Sequence, residues 1–466
     1  MIANMKTHLT ALIALALISC AAAAQDWPQL GRYSDAAQAL AARKVPCVIF
    51  MGDSITDGWM DHDGPFFYEH GFIGRGISGQ TTPQMLLRFR NEVVRSGASA
   101  VVILAGTNDV AGNTGPMTLQ MTVDNIASMC ELALENGIRP IICSVLPAHR
   151  YGWRKEKRPD LLIPPLNKML REYADSKKIT YLDYFSAMVD SDPENVNGLP
   201  ESLSPDGVHP NNDGYAIMEK MVLDVLKKEV RDYEKAAPGL RLMSFNVRNC
   251  KGMDDDTWYE RPQAVISDFG PDAVAIQELD SATVRSEGAY ILGELADRTC
   301  LKATYGPAIE YQGGKYGVGI LSRKAPLSVR NVALPGREEA RTLLIAEFDD
   351  YFFCSTHLSL VKDDRMASIE IIADAFRQIE SKGKPMYLAG DWNDTPDSDF
   401  LAGMKKYFDI VSDTSGSTLL GEDPGYTIDY IATWKGNAAN GRKLLDAGVL
   451  QTSIASDHKP IYCEFK

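Results

Sequence analysis

The stretch Val45-Pro46-Cys47-Val48-Ile49-Phe50-Met51-Gly52-Asp53-Ser54-Ile55-Thr56 decides how the first half of the chain folds: a short apolar run broken off by Gly-Asp-Ser. The run reads as a strand over Val45–Met51. Outward from it the same rhythm repeats, with helix Pro83–Arg95, strand Ala100–Ala105, helix Met117–Asn136, strand Pro140–Leu146, helix Leu166–Lys177, strand Ile179–Tyr184 and helix Gly214–Tyr233. Runs such as Val101-Val102-Ile103-Leu104-Ala105 carry no polar face and must be buried on both sides. Buried strands alternating with helices imply a parallel sheet covered by helices on each face. Chemistry on such a sheet gathers at the carboxyl ends of its strands, and Ser54 stands at one of them.

At 466 residues the chain is long enough for two or three domains, each with a full core. Its composition, 45% hydrophobic and 24% charged, excludes disorder, collagen and coiled coil. With 48 basic against 62 acidic side chains the net charge is −14, which argues against a constitutive nucleic-acid binder. The segment Arg231–Gly239 is charged, then small, then broken by Pro238 and Gly239, and marks a boundary between domains over 25–235 and 236–466. Beyond it strands predominate (Arg241–Arg248, Thr342–Phe348, Tyr351–Thr356, with a hairpin turn at Asp349-Asp350), interrupted by helices near Thr257–Asp268, Ala289–Arg298 and Asp364–Ser381. That mixture predicts packed sheets flanked by helices.

The one long apolar stretch, Leu9–Ala24, follows Lys6 and His8 and is too short for a membrane span. It reads as a signal peptide over 1–24, so export is expected, to the periplasm, the outer membrane or the medium. Ala22-Ala23-Ala24 offers a cleavage site, whereas Leu17-Ile18-Ser19-Cys20 resembles a bacterial lipobox that would anchor lipid at Cys20. Cys47, Cys143, Cys354 and Cys463 lie inside apolar runs and are expected as buried free thiols.

Gly52-Asp53-Ser54 alone reads first as an N-capping turn. Three further segments change its meaning: Gly76-Ile77-Ser78-Gly79-Gln80-Thr81-Thr82, Ala105-Gly106-Thr107-Asn108-Asp109 and Ser204-Pro205-Asp206-Gly207-Val208-His209-Pro210. Together, and in this order, they resemble an SGNH/GDSL hydrolase over roughly 45–235. The resemblance implies a flavodoxin-like α/β/α domain with Ser54 as nucleophile, His209 as its base and Asp206 as the group that orients the imidazole. It also implies oxyanion donors at the Ser54 and Gly79 N–H groups and the Asn108 amide, and no cofactor. Asp53 and Asp109 are expected to brace their turns. The loop with His149-Arg150 and Trp153-Arg154 suits either substrate contact or plain solvation.

A second set of motifs occupies the other half. Phe245-Asn246-Val247-Arg248, Ala275-Ile276-Gln277-Glu278-Leu279 and Gly390-Asp391-Trp392-Asn393-Asp394 each end a strand on an oxygen-bearing side chain. With Ser355-Thr356-His357-Leu358, Tyr426-Thr427-Ile428-Asp429-Tyr430 and Ser456-Asp457-His458-Lys459-Pro460, they resemble the endonuclease/exonuclease/phosphatase superfamily across 239–466. The resemblance implies an α/β/β/α sandwich and Mg²⁺ or Mn²⁺ held by Glu278, Asn246 and Asp457, one ion or two. It further implies His458 paired with Asp429, Asp391 and Asn393 positioning water or phosphate, and His357 contacting a phosphate oxygen or the leaving group. The acidic run Asp254-Asp255-Asp256 is read as a solvated loop.

The combined expectation is an exported bifunctional hydrolase acting on small-molecule, lipid-headgroup or glycan esters, with short acyl groups preferred. A secreted nuclease with an accessory lipase, and a binding protein built on inactive enzyme folds, are the alternatives.

Overall fold

A computed structural model describes residues 26–41, 47–229, 239–421 and 425–466. The leader, Cys20 and most of the expected boundary segment lie outside the described residues. In the first half, strands β1 (Val48–Gly52), β2 (Phe72–Gly76), β3 (Ala100–Leu104), β4 (Arg139–Cys143) and β5 (Thr180–Leu182) form a parallel sheet of order β2-β1-β3-β4-β5. Every residue of β1, β2 and β3 is buried, as strands covered on both faces require. One face packs Ile49, Met51, Val101 and Ile103 beneath helices that include Leu119–Glu135 and Pro159–Lys177. The other packs Val48, Phe50 and Val102 beneath Ser54–His62 and Asn212–Glu229. This is the expected α/β/α domain.

Two helices depart from their sequence-based spans. Pro159–Lys177 starts earlier than Leu166 and runs through Pro164 and Pro165. These prolines have no N–H for the carbonyls one turn back, and the freed Asp160 carbonyl instead accepts the Asn197 amide at 2.8 Å. The helix expected over Pro83–Arg95 is an α-helix at Thr82–Phe89 that widens into a π-turn over Arg90–Val94.

The second half stacks two six-stranded sheets. One has the order β16-β17-β6-β7-β9-β8, built from β6 (Leu240–Asn246), β7 (Ala273–Ser281), β8 (Lys302–Tyr311), β9 (Gly314–Ser322), β16 (Leu444–Val449) and β17 (Ile461–Phe465). The other has the order β10-β11-β12-β13-β15-β14, from β10 (Ser328–Leu334), β11 (Arg341–Glu347), β12 (Phe352–His357), β13 (Met386–Asp391), β14 (Phe408–Ile410) and β15 (Asp429–Trp434). Leu242, Ile320, Leu344, Phe353, Tyr387 and Ile461 belong to the core between the sheets. Helices Glu260–Phe269 and Ile291–Thr299 cover the first sheet, and Lys362–Glu380 and Asp399–Met404 the second. The α/β/β/α expectation holds. Among the described residues no two cysteines form a disulfide, and all the described cysteines but the half-buried Cys300 are buried.

The two halves share a core. The short helix Ser34–Ala41 belongs to the chain before β1, yet Tyr33, Ala36 and Ala39 pack with Val265, Phe269 and Leu450 of the second half. Across the same contact, Arg75 of β2 and Asp268 of helix Glu260–Phe269 form a buried two-pronged ion pair.

Candidate active sites

At the end of β1 the chain passes without a loop into helix Ser54–His62. A Cβ on Gly52 would come within 2.0 Å of Thr56 Oγ1 and 2.9 Å of the Leu104 carbonyl, so only glycine fits beneath that helix. Asp53 caps it, accepting the Ile55 N–H at 3.0 Å, and burial pushes its carboxyl up to about 7. Ser54 is thereby held as the first residue of the helix, at the carboxyl edge of the sheet. Its Oγ lies 2.8 Å from His209 Nε2, and His209 Nδ1 lies 2.7 Å from Asp206 Oδ2. Asp206 Oδ1 accepts the Val208 and His209 N–H groups at 2.9 and 2.8 Å. Partial burial opposes ionisation of Asp206, but the hydrogen bonds from His209 and Val208 outweigh it and hold the carboxyl below its ordinary range.

Gly79 takes φ +79° in the turn closed by Gln80 N–H to the Ile77 carbonyl. Beside it, Asn108 donates to the Gln80 carbonyl at 3.0 Å and accepts from the Asn113 amide at 2.7 Å, so the amide is fixed next to that turn. Asp109 accepts the N–H and hydroxyl of Thr82, the first residue of the next helix. His149 Nδ1 meets the Val196 carbonyl at 2.9 Å, and Trp153 donates to Asn113 Oδ1 at 3.1 Å. The structure thus brings Ser54, His209 and Asp206 into one hydrogen-bonded row, with Gly79 and Asn108 on two further segments, the turn after β2 and the short helix after β3, tied to each other.

In the second half the ends of β6, β7, β12, β13 and β15 converge. A bulge in β7 between Ile276 and Leu279 puts Glu278 at φ +59°, which turns its side chain out of the strand alternation. Asn246 Nδ2 donates to Glu278 Oε1 at 3.0 Å and to Asp391 Oδ2 at 3.2 Å. His458 Nδ1 meets Asp429 Oδ2 at 2.9 Å, while its Nε2 lies 3.6 Å from Asp391 Oδ2. His357 Nε2 lies 3.5 Å from the same oxygen. Asn393, at φ +52°, is tied by its own N–H to Asp391 Oδ1 at 2.9 Å and by its amide to the Leu358 carbonyl at 2.8 Å. Asp457 faces Arg248, whose Nε is 3.4 Å from Oδ2. Asn246, Glu278, His357, Asp391, Asp429 and His458 are thus linked by direct contacts, with Asp457 beside Arg248, and Asn393 spends its amide nitrogen on the backbone.

Residues 50–217 match the GDSL-like lipase/acylhydrolase family, and residues 243–458 match the endonuclease/exonuclease/phosphatase family. The chain belongs to both families, one in each half. It is 42% identical to a GDSL-like lipase from Bacteroides thetaiotaomicron, over 44% of this chain and 99% of that one, with a TM-score of 0.41. An endonuclease/exonuclease/phosphatase from Beutenbergia cavernae is 18% identical over 49% of this chain and 71% of its own, with a TM-score of 0.42. A mannosyl-6-phosphatase from Bacteroides thetaiotaomicron is 17% identical over 49% of this chain and 99% of its own, with a TM-score of 0.40. No curated protein matches the chain.

The phosphatase-family site has the donor chemistry of a hard divalent cation: several carboxylates, one amide, no thiolate. Asp391, Asp429 and His458 alone offer three ligand atoms within 4.8 Å of one another. Asp429 Oδ1 is buried with no hydrogen-bond partner among the described residues. Burial, with a smaller contribution from Asp457 and Asp391, raises the Glu278 carboxyl. The two imidazoles differ. Burial drives His357 down to about 4, so it is neutral, whereas at His458 the carboxylates of Asp429 and Asp391 overcome burial and favour the charged form.

The GDSL-like site also depends on residues the motifs do not contain. Arg88, fully buried, donates to the Gly52 carbonyl at 3.0 Å, the Arg75 carbonyl at 2.8 Å and Gln80 Oε1 at 2.7 Å, and is neutralised by Glu92 one turn on. It ties the strand end before Ser54 to the turn that holds Gly79. The only sign of it in the sequence is a pair of opposite charges at i and i+4 on a helix otherwise read from its apolar residues.

Proposed function

We propose that the chain is an exported bifunctional hydrolase, joining a serine esterase for short acyl groups to a Mg²⁺- or Mn²⁺-dependent phosphoesterase. The esterase reading rests on the row Ser54 Oγ, His209, Asp206, joined at 2.8 and 2.7 Å. His209 takes the Ser54 proton as Oγ bonds to the ester carbonyl carbon, and Asp206 stabilises the imidazolium. The Ser54 and Gly79 N–H groups and the Asn108 amide receive the oxyanion. His209 then gives its proton to the departing alcohol oxygen as the carbon–oxygen bond breaks, and water releases the acid from the acyl-enzyme by the same route. Between residues 52 and 210 no long apolar helix covers the site, which favours acetyl over long chains.

In the second domain, Glu278, Asn246 and Asp457 would hold the divalent cation, with Asp391 beside them. When bound, the cation neutralises phosphate charge and acidifies water. His458, fixed by Asp429, serves phosphate as a charged hydrogen-bond donor, Asp391 orients the attacking water, and neutral His357 faces the phosphate or leaving group. Export rests on the apolar leader, and among the described residues no helix is long and apolar enough to cross a membrane.

The test is an assay of the purified protein on p-nitrophenyl acetate and on phosphomonoesters, phosphodiesters and DNA in parallel. Ser54→Ala should abolish only ester hydrolysis, and Asp391→Ala only phosphate-ester hydrolysis. Loss of both in either variant refutes the two-site reading.

A further inference from the structure

A cavity of about 510 Å³ opens from Ser54 and His209 toward the domain contact. Its lining includes neither Gly79 nor Asn108; from Ser54 and Ser78 it runs past the His209 imidazole, with Thr56, Gly58 and Tyr215 in its wall. The imidazole hands its proton to the departing alcohol, so the space beside it belongs to the alcohol portion of the ester. Its far wall comes from the other domain: Glu260 and Gln263 on one helix and Arg298 on the next.

We propose that this cavity is the leaving-group subsite of the esterase, completed by the phosphatase-family domain, and that it takes an uncharged polyhydroxylated alcohol such as a sugar. The proposal rests on the esterase reading of Ser54, His209 and Asp206. Both guanidinium groups in the wall are already paired, Arg32 with Asp57 at 2.8 Å and Arg298 with Glu260 at 2.9 Å. Asp61 then remains as an excess carboxylate, which disfavours an anionic leaving group. A guanidinium carries several N–H donors, so Arg32 and Arg298 in the wall keep donors beyond the one each gives to Asp57 or Glu260. Gln263 spends its amide N–H on Ser267 Oγ at 3.2 Å, and its amide oxygen has no protein donor among the described residues. Hydroxyl groups, which donate and accept, match this mixture of carboxylates and N–H groups. Tyr33, Met60 and Tyr215 add limited apolar surface, too little for a long chain.

The experiment compares kcat/KM for acetylated methyl glucoside, its 6-phosphate and p-nitrophenyl acetate in the full-length protein and in Gln263→Ala and Arg298→Ala. In the parent, the neutral glucoside should be cleaved at least about fivefold faster than its phosphate. In each variant the ratio of glucoside to p-nitrophenyl acetate turnover should fall about tenfold, through KM, as loss of about one buried hydrogen bond predicts. Phosphoesterase activity in each variant reports that the second domain is folded. An unchanged ratio in both variants, or a preference for the phosphate, overturns the subsite. If the parent shows no Ser54-dependent cleavage of p-nitrophenyl acetate, it is the esterase reading that fails.

Discussion

Asp268→Ala should cost the protein about 4 kcal/mol. Arg75 is completely buried, and its two terminal nitrogens both address Asp268, one of them at 2.9 Å. Without that carboxylate the guanidinium keeps, among the described residues, the Gly74 carbonyl at 3.0 Å, the face of Tyr33 at 4.8 Å and the more distant charge of Glu92, itself paired with Arg88. Two unit charges about 4 Å apart at an effective dielectric of about 20 attract by about 4 kcal/mol. Removing one partner of a buried pair costs about 3–5 kcal/mol, because the other charge is left uncompensated. The two figures agree. Urea unfolding followed by far-ultraviolet circular dichroism and tryptophan fluorescence should show the first transition of Asp268→Ala destabilised by that amount. The double substitution Arg75→Met with Asp268→Leu should recover most of it, since no charge is then stranded. A loss under about 1 kcal/mol would refute the reasoning, for it would mean that water reaches the pair and that the two domains part in solution.

Asp206→Asn should lower kcat for ester hydrolysis by about 10³–10⁴-fold with little change in KM, because it removes the charge and tautomer control behind His209. Chelation with EDTA should silence phosphate-ester hydrolysis and leave ester hydrolysis intact, with Mg²⁺ or Mn²⁺ restoring the former; both are read on the same preparation. Arg88→Met should destabilise the fold by about 3–5 kcal/mol through the stranded Glu92, and lower ester hydrolysis by loosening the Gly52 and Gln80 contacts; denaturation and kcat check it. Glu347 is held down to about 2 by hydrogen bonds from Lys382 and Lys384. Its folded value lies below its ordinary 4.5, so its contribution is complete above that pH and is lost as pH falls toward 2. Acid unfolding of Glu347→Gln should therefore lack part of the parent's loss of stability in that window.

The motifs were legible because their chemistry dictates residue type and place. A nucleophile needs a base and an orienting carboxylate, a cation needs oxygen ligands, and both need rigid strand ends. The apolar runs of β1 and β3 declared themselves because nothing in them could face water. Among the strands not legible in the sequence, β10 is exposed along most of its length and β8 is exposed or half-buried at most positions, so neither has an apolar face to read; β9 is almost wholly buried, but its glycines break up the apolar run. Buried charge was also invisible. Arg75, Arg88 and Glu92 read as surface residues until their partners, up to 193 positions away in sequence, are known. The segment Ser34–Ala41 is composed largely of alanine, and its role in joining the domains comes from close approach that small residues permit, not from a hydrophobic pattern.

That segment connects the two active sites physically. Arg32 and Tyr33 line the esterase cavity, and the Tyr33 hydroxyl donates to the Gly76 carbonyl at 2.7 Å. Two residues on, the Asp35 carboxylate accepts four hydrogen bonds, from the Ser453 N–H and hydroxyl at 2.7 and 2.6 Å and from the Ile454 and Ala455 N–H groups at 2.8 and 2.7 Å. Three backbone donors satisfied by one buried carboxylate fix a loop firmly, and this loop leads directly into Ser456, Asp457 and His458. The strand-end serine on one side and the terminal Asp-His motif on the other are therefore referenced to one short stretch of chain. A substitution at Asp35 disturbs the phosphoesterase loop, and a shift of the same stretch moves Arg32 and Tyr33 in the esterase wall. The domain contact is thus part of each site's construction, which is why the esterase cavity can take its far wall from the neighbouring domain.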